Sequence, residues 1–166
     1  GAELVRVTVN DAAAAETHAL FIVGHLRGEP ATMMDEVSFD DVVQEVADEL
    51  RARLREAVAA GVAANRLWVD PSIGFGKTAA QSQALIAASG ELKRTLGYPI
   101  MIGPSRKSFI GAITGKVARE RVMGTAGAAV AAIARGADAL RIHDVGELMD
   151  AVRVADAICR QPAGAL

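Results

Sequence analysis

Short, unbroken apolar runs recur along this chain, and between them lie longer stretches with helical spacing. The runs are residues 4–10, 19–26, 66–70, 98–103 and 139–143. Several are continuous rather than alternating, the pattern of strands in a parallel sheet covered on both faces. The intervening stretches read as helices. Ser38 is placed to cap one of them, with Asp41 at its N3 position as an approximate capping box. Val42, Val43, Val46, Leu50, Leu54 and Val58 form its apolar stripe, and Gly61 ends it. Further helices are predicted over 79–96, stopped by Gly97, over about 118–136, and over 146–160. Strand and helix in strict alternation specify βα units and a parallel sheet, an α/β class.

Composition narrows the function classes. A chain of 166 residues, 51% hydrophobic and only 4% aromatic, suffices for a single domain with a real core, and it suits helices and buried strands better than a β-sandwich. A net charge of −2 supplies no general footprint for nucleic acid or acidic membranes. The single cysteine, Cys159, excludes an internal disulfide and fits a reducing compartment. No apolar run approaches the roughly 20 residues that span a bilayer, and GAELVRV lacks the pattern of a signal peptide. The expectation is a soluble cytoplasmic protein with neither nucleic acid nor membrane as partner.

Polar residues cluster where the predicted strands end: Asn10 and Asp11, His25 and Arg27, Asp70, Ser105 to Ser108, and Arg141 with His143 and Asp144. In α/β folds ligand sites form at the carboxyl ends of parallel strands. One of these ends, VDPSIGFGKT, finishes in Gly-Lys-Thr and invites comparison with a phosphate-binding P-loop. That loop needs G-x-x-x-x-G-K-[ST], and the position of its first glycine holds Pro71, which has no N–H to offer a phosphate. The P-loop reading fails. Asp70 instead ends a strand, Gly74 and Gly76 let the backbone turn beside a ligand, and Phe75 between them projects outward to cover a flat ring. A plain βα turn with Asp70 capping the next helix is the alternative, and Lys77 and Thr78 read as the first turn of that helix.

Two further motifs carry charge. In IGPSRKSFIG a strand ends and Ser-Arg-Lys-Ser opens a helix, whose first N–H groups and two neighbouring cations favour a carboxylate or phosphate. A capped, solvated helix start is the plain alternative. In LRIHDV, Arg141 and His143 point to the same side of a strand, which calls for something anionic, either a ligand or a neighbouring acid.

Taken together, DPSIGFGK, IGPSRKSFIG, LRIHDV and GHLRGEPATM resemble the motifs of dihydropteroate synthase, the pterin-binding enzyme of folate synthesis, and they fall in that family's order along the chain. The resemblance runs from about residue 19 to about residue 158. It implies a (β/α)8 TIM-barrel type fold, present here as about five βα units, with the first three units absent. It also implies site residues. Asn10, Asp70 and Lys107 would hydrogen-bond the pterin, with Phe75 and Gly74 lining its pocket. Ser108 and the helix start would receive the carboxylate of p-aminobenzoate, with Arg106 and Ser105 beside it. Arg141 and His143 would bind the pyrophosphate leaving group. Asp70, Lys107, Arg141 and His143 are the catalytic set in this reading. Mg2+ is the implied cofactor, but the family's metal-binding Asn belongs to the absent units, so no metal ligand is assigned in this chain. Sulfonamides are implied inhibitors and a homodimer the implied assembly.

Some positions depart from the family pattern. Gly24 stands where the family usually has a Met, Ser72 replaces a glycine, and Pro104 precedes the Ser-Arg-Lys-Ser serine. Two other readings stay open at this level: a pterin-binding fragment without synthase activity, and a pterin-binding methyltransferase domain. The second has no reason to keep Ser-Arg-Lys-Ser or Arg-x-His.

Overall fold

The computed structural model describes residues 19–28, 31–34 and 37–160. The strand expected over 4–10, and with it Asn10, lies outside the described residues. Within them the chain alternates as its apolar pattern requires. Strand β1 is Phe21–Gly24, and helix α1, Val42–Ala59, leads to β2, Leu67–Asp70. Helices α2, Ala79–Ala87, and α3, Ser89–Leu96, precede β3, Met101–Ile102. Then come α4, Ser108–Thr114, and α5, Val122–Ala134, followed by β4, Ala139–Leu140, and α6, Val145–Cys159.

The strands run parallel and keep chain order. β1 pairs with β2, Gly24 opposite Asp70. A bridge from Val69 to Ile100 carries the sheet on to β3, and β3 pairs with β4, Met101 opposite Ala139. Side chains alternate across a strand and partners in register share a face. The outer face therefore carries Val23, Leu67, Val69, Ile100 and Ile102, all buried against the helices with Val46, Leu50, Leu54, Leu85 and Leu92. The inner face carries Ile22, Gly24, Trp68, Asp70, Met101 and Ala139. This is the wall of a parallel barrel in part, covered by helices outside. Among the described residues the inner side is only half covered, with Ile22 42% exposed. The expectation of burial on both faces holds for the outer face alone.

Several local expectations are corrected. Asp41, rather than Ser38, caps α1: its carboxylate accepts from the N–H groups of Val43 and Gln44, while Glu45 reaches back to the N–H groups of Asp40 and Asp41. In the buried stripe of α1, Ala57 takes the place of Val58, which is exposed. The helix predicted over 79–96 breaks at Ala88, where the Ser89 hydroxyl donates to the Ile86 carbonyl, and Gly97 ends the second piece in a left-handed conformation. Only Gly fits at position 90, because a Cβ there would stand 2.8 Å from the Arg135 carbonyl. Thr78 caps α2 in a capping box with Gln81, so Asp70 is free of that duty. A 3₁₀ turn, Ala118–Glu120, precedes α5. Strands β3 and β4 are shorter than their apolar runs. Pro99 offers no N–H to the ladder, and beyond Leu140 only the Arg141 N–H still reaches across, to the Ile102 carbonyl at 3.0 Å. In α6, Leu148 and Ala155 are core, whereas Ile158 is exposed.

Candidate functional site

Asp70 closes β2 on the inner face and is buried. One carboxylate oxygen accepts from the Ser72 N–H at 2.7 Å. Burial pushes the carboxyl above its ordinary range, and the Ser72 N–H, Arg141, Lys107 and Lys77 oppose that push. Three cations thus converge on one acid whose second oxygen is not taken up by Ser72. The loop after it turns through left-handed residues, with φ of 52° at Ser72, 75° at Gly74 and 57° at Gly76. At Gly74 the need for glycine is double: the φ is positive, and a Cβ would stand 3.0 Å from the Lys107 side chain. Gly74 is the floor under the Lys107 stem.

Lys107 lies at the head of α4. Burial, and then Arg141, bring its ammonium down to about 8, against the pull of Asp70. The ammonium rests over the Phe75 ring, 3.6 Å from its centre. Phe75 is therefore half-buried under a cation, not turned outward by itself, and the two side chains form one surface. Arg141 leans on Gly103 of the neighbouring strand end, where a Cβ would meet the guanidinium at 3.1 Å. Its Nε is buried and has no hydrogen-bond partner among the described residues. A buried donor left open beside an acid and another cation is chemically suited to an anionic ligand.

The Ser-Arg-Lys-Ser segment divides its work. The Ser105 hydroxyl meets both the backbone N–H of His143 at 3.1 Å and its Nδ1 at 2.8 Å, so it orients the imidazole. Arg106, in a left-handed conformation with φ of 55°, pairs with Asp144 through two nitrogens, one at 2.8 Å. That pairing holds the Asp144 carboxyl below the usual carboxylate range. Asp144, next to the Arg-x-His pair in the chain, thus pairs with Arg106, while the acid acting on Arg141 is Asp70. Ser108 is exposed as the first residue of α4. The structure brings Asp70, Gly74, Phe75, Lys107 and Arg141 together, and it joins Ser105 to His143 and Arg106 to Asp144.

Two groups of residues escaped the sequence reading. Arg121 donates to the carbonyls of Arg106 at 3.1 Å, Lys107 at 3.3 Å and Lys116 at 2.8 Å, while the buried Thr125 hydroxyl accepts from the Arg106 N–H at 2.9 Å. They hold the left-handed turn from below. Lys77, expected as an ordinary first-turn residue, is only 2% exposed, and His25 is fully buried beside it. The Lys77 ammonium meets His25 Nδ1 at 3.0 Å and donates to the Phe75 carbonyl at 2.9 Å. His25 Nε2 meets Glu49 at 3.0 Å, and Glu49 also accepts from Arg27. The lysine of a Gly-Lys-Thr triplet gave a signal, but it pointed to phosphate.

Among the described residues no three His, Cys, Asp or Glu side chains converge as metal ligands. Mg2+ keeps several waters and binds through carboxylates and substrate phosphates. Asp70, the acid of this cluster, is hydrogen-bonded by Ser72 and ringed by cations, so the residues described do not form a site for the ion.

The sequence profile of a family described as Pterin binding enzyme matches residues 9–143. The dihydropteroate synthase of Neisseria meningitidis serogroup B is 45% identical over 137 residues, which cover 81% of this chain and 48% of that protein. Crystal structures of the Thermus thermophilus enzyme in complex with 6HMPPP and with 4-aminobenzoate are each 37% identical, with a TM-score of 0.82. They cover 89% of this chain and 59% and 60% of those chains. The Yersinia pestis enzyme with a sulfonamide drug complex is 34% identical with a TM-score of 0.84, over 89% of this chain and 54% of that one. The chain spans about half the length of the curated relatives it matches.

Proposed function

The chain belongs to the pterin-binding enzyme family, and from that premise we propose that it binds 6-hydroxymethyl-7,8-dihydropterin pyrophosphate and joins it to p-aminobenzoate, as dihydropteroate synthases do. The observation that carries this reading is the buried Asp70 carboxylate facing Lys107 and Arg141 at adjoining strand ends, beside the buried open Nε of Arg141.

In this reading Asp70 accepts hydrogen bonds from the amino-pyrimidine edge of the pterin, and Lys107 donates to the ring from above Phe75. Arg141 and the Ser105-oriented His143 take the pyrophosphate. As the bond from the exocyclic CH2 to oxygen breaks, its electron pair leaves with the pyrophosphate. The Arg141 guanidinium and the His143 ring stabilise that charge, and the Asp70 carboxylate stabilises the cationic character spreading into the ring. The aromatic amine of p-aminobenzoate then attacks the CH2 and loses a proton. Its distant carboxylate sets the approach at the start of α4, beside Ser108 and Arg106. Sulfonamides would compete there. No covalent enzyme nucleophile is needed. Mg2+ is the ion the resemblance implies, and the residues described form no site for it.

The reading includes a homodimer and a cytoplasmic location. Exposed Val130 on α5 and Val154 and Ile158 on α6 are the surface on which the dimer is proposed, and sedimentation tests it. No helix among the described residues is long and apolar enough to cross a membrane. The central test is titration calorimetry of the chain with the dihydropterin pyrophosphate, followed by mass spectrometry for dihydropteroate once p-aminobenzoate and Mg2+ are added. Binding and product are expected. Binding without product would reduce the reading to pterin binding, and no binding would overturn it.

A further inference from the structure

Lys77 and His25 are the most deeply buried titratable pair among the described residues, and the chemistry proposed above uses neither. Lys77 reaches back from the head of α2 to the rear of the Gly-rich loop. Its ammonium donates to the Phe75 carbonyl at 2.9 Å, approaches the Ser72 carbonyl at 3.4 Å and meets His25 Nδ1 at 3.0 Å. An ammonium only donates, so Nδ1 is the accepting nitrogen and the ring proton sits on Nε2. That proton points at Glu49, 3.0 Å away. Arg27 completes the row: it donates to Glu49 at 2.8 Å and to Glu45 at 2.6 Å, and it stacks on Phe39 at 3.9 Å. The row therefore reads loop carbonyls, Lys77, His25, Glu49, Arg27, and it ties the loop after β2 to the middle of α1.

Buried charge without full pairing is costly, and here each member is paired. Burial brings His25 down to about 4, so the imidazole is neutral at pH 7, and it brings Lys77 down to about 8 while Asp70 and Glu49 hold it up. The charged groups facing Lys77 are Asp70 from β2, Glu49 and Arg53 from α1, and Arg27 after β1, with His25 against it. An apolar side chain at position 77 would leave the Phe75 carbonyl without this donor. The loop it braces holds left-handed Ser72, Gly74 and Gly76 and has no strand pairing of its own; besides Lys77, the Gly74 N–H donates to the Ser82 hydroxyl at 3.1 Å and the Phe75 N–H to the Ser72 carbonyl at 3.1 Å.

We propose that Lys77, seated on His25, is a positioning residue of the dihydropterin half-site: it fixes the backbone from Ser72 to Phe75 so that Asp70 and Phe75 meet the ring in one geometry. The role rests on the pterin reading. It places recognition of a flat ligand under the control of two side chains that never touch it.

The test uses titration calorimetry with 6-hydroxymethyl-7,8-dihydropterin pyrophosphate as probe and pyrophosphate alone as control, on the whole chain. Lys77→Met should weaken the dihydropterin probe about tenfold or more and pyrophosphate less than about threefold, a fold-change scale set by the usual affinity arithmetic. In a double-mutant cycle with Phe75→Ala the two losses should fall short of adding, because both act through one loop. His25→Leu should copy the loss, and His25→Gln, which keeps an acceptor toward Lys77 and a donor toward Glu49, should recover most of it. If circular dichroism shows Lys77→Met unfolded, His25→Leu takes its place in the cycle. Full dihydropterin affinity in Lys77→Met, additive losses, or equal losses for pyrophosphate would each overturn the positioning role. Absence of probe binding by the unsubstituted chain would overturn the pterin reading instead.

Discussion

Asp70 is asked to be buried and charged at once, and the conflict gives it a measurable pH signature. Burial raises its pKa above the ordinary value, so between that value and the raised one the folded chain holds a proton that the unfolded chain has released. Stability contributed by this group therefore falls as pH rises through that window. The proposed recognition of the ring runs the other way, since the ionised carboxylate is the stronger acceptor and offers both oxygens. Asp70→Asn should thus abolish dihydropterin binding, by about a hundredfold or more for a lost buried charge-assisted pair. Its unfolding stability should also lose the decline with pH that, in the parent, begins at the ordinary carboxylate value and runs up through the raised one. Undiminished binding would remove Asp70 from the site. Lys107 carries the opposite sign. Its folded pKa is brought down to about 8, so from there toward its ordinary value of 10.5 the unfolded chain binds the extra proton and stability rises with pH. An anionic ligand beside Lys107 pulls that pKa back up. Binding about one unit above the folded value should therefore take up protons, seen as a calorimetric enthalpy that varies with the ionisation enthalpy of the buffer. Lys107→Arg should abolish most of the variation, and an enthalpy independent of buffer would refute Lys107 as the titrating contact.

At the scale of elements, α4 and α5 act as a clamp on the turn that presents Arg106 and Lys107. The Arg121 guanidinium lies across Gly111, where an added Cβ would overlap it, and three carbonyls hold its far end in place. Gly111→Ala should cost about 1–3 kcal/mol, the usual range for overpacking, and should weaken p-aminobenzoate binding as the turn shifts. Gly127→Ala in α5 meets nothing within 4 Å and should instead gain up to about 1 kcal/mol from helix propensity. Thermal unfolding of the pair checks both signs, and equal behaviour would show that the clamp does not constrain the turn. This clamp marks the limit of what was legible in the chain. Period and punctuation located each described strand and most helices, because apolar runs and glycine stops are local features. The motif residues were legible as a set because charged side chains at strand ends need a reason. Arg121, Thr125 and Lys77 were not, because their roles depend on partners that only packing brings near: His25 lies 52 residues from Lys77. The break at Ala88 and the shift of the α1 cap from Ser38 to Asp41 were missed for a related reason. Propensity permits either choice there, and tertiary contacts decide.

For the molecule as a whole, the decisive feature is the contrast between the two faces of the parallel wall. Outside, Val69, Ile100 and Ile102 are buried under helices; inside, Ile22, Trp68 and Met101 remain partly open beside Asp70. The strand ends supply an acid, two cations and an aromatic floor on one side of the proposed ring. A pocket that holds a small ligand tightly commonly buries most of its surface. If about 50–100 Å² of the pterin's apolar surface stays in water, the missing burial is worth roughly 1–2.5 kcal/mol, or about 5- to 70-fold in affinity. The pyrophosphate group is less affected, since its proposed partners Arg141 and His143 both lie within this chain. Calorimetry of this chain alongside the Neisseria meningitidis relative, of which it covers 48%, should therefore show a weaker dihydropterin pyrophosphate and a nearly equal free pyrophosphate. Equal affinities for both ligands would mean that the described strand ends suffice for the ring. Weakening of both to the same degree would mean that the loss lies in the charged cluster rather than in the open face.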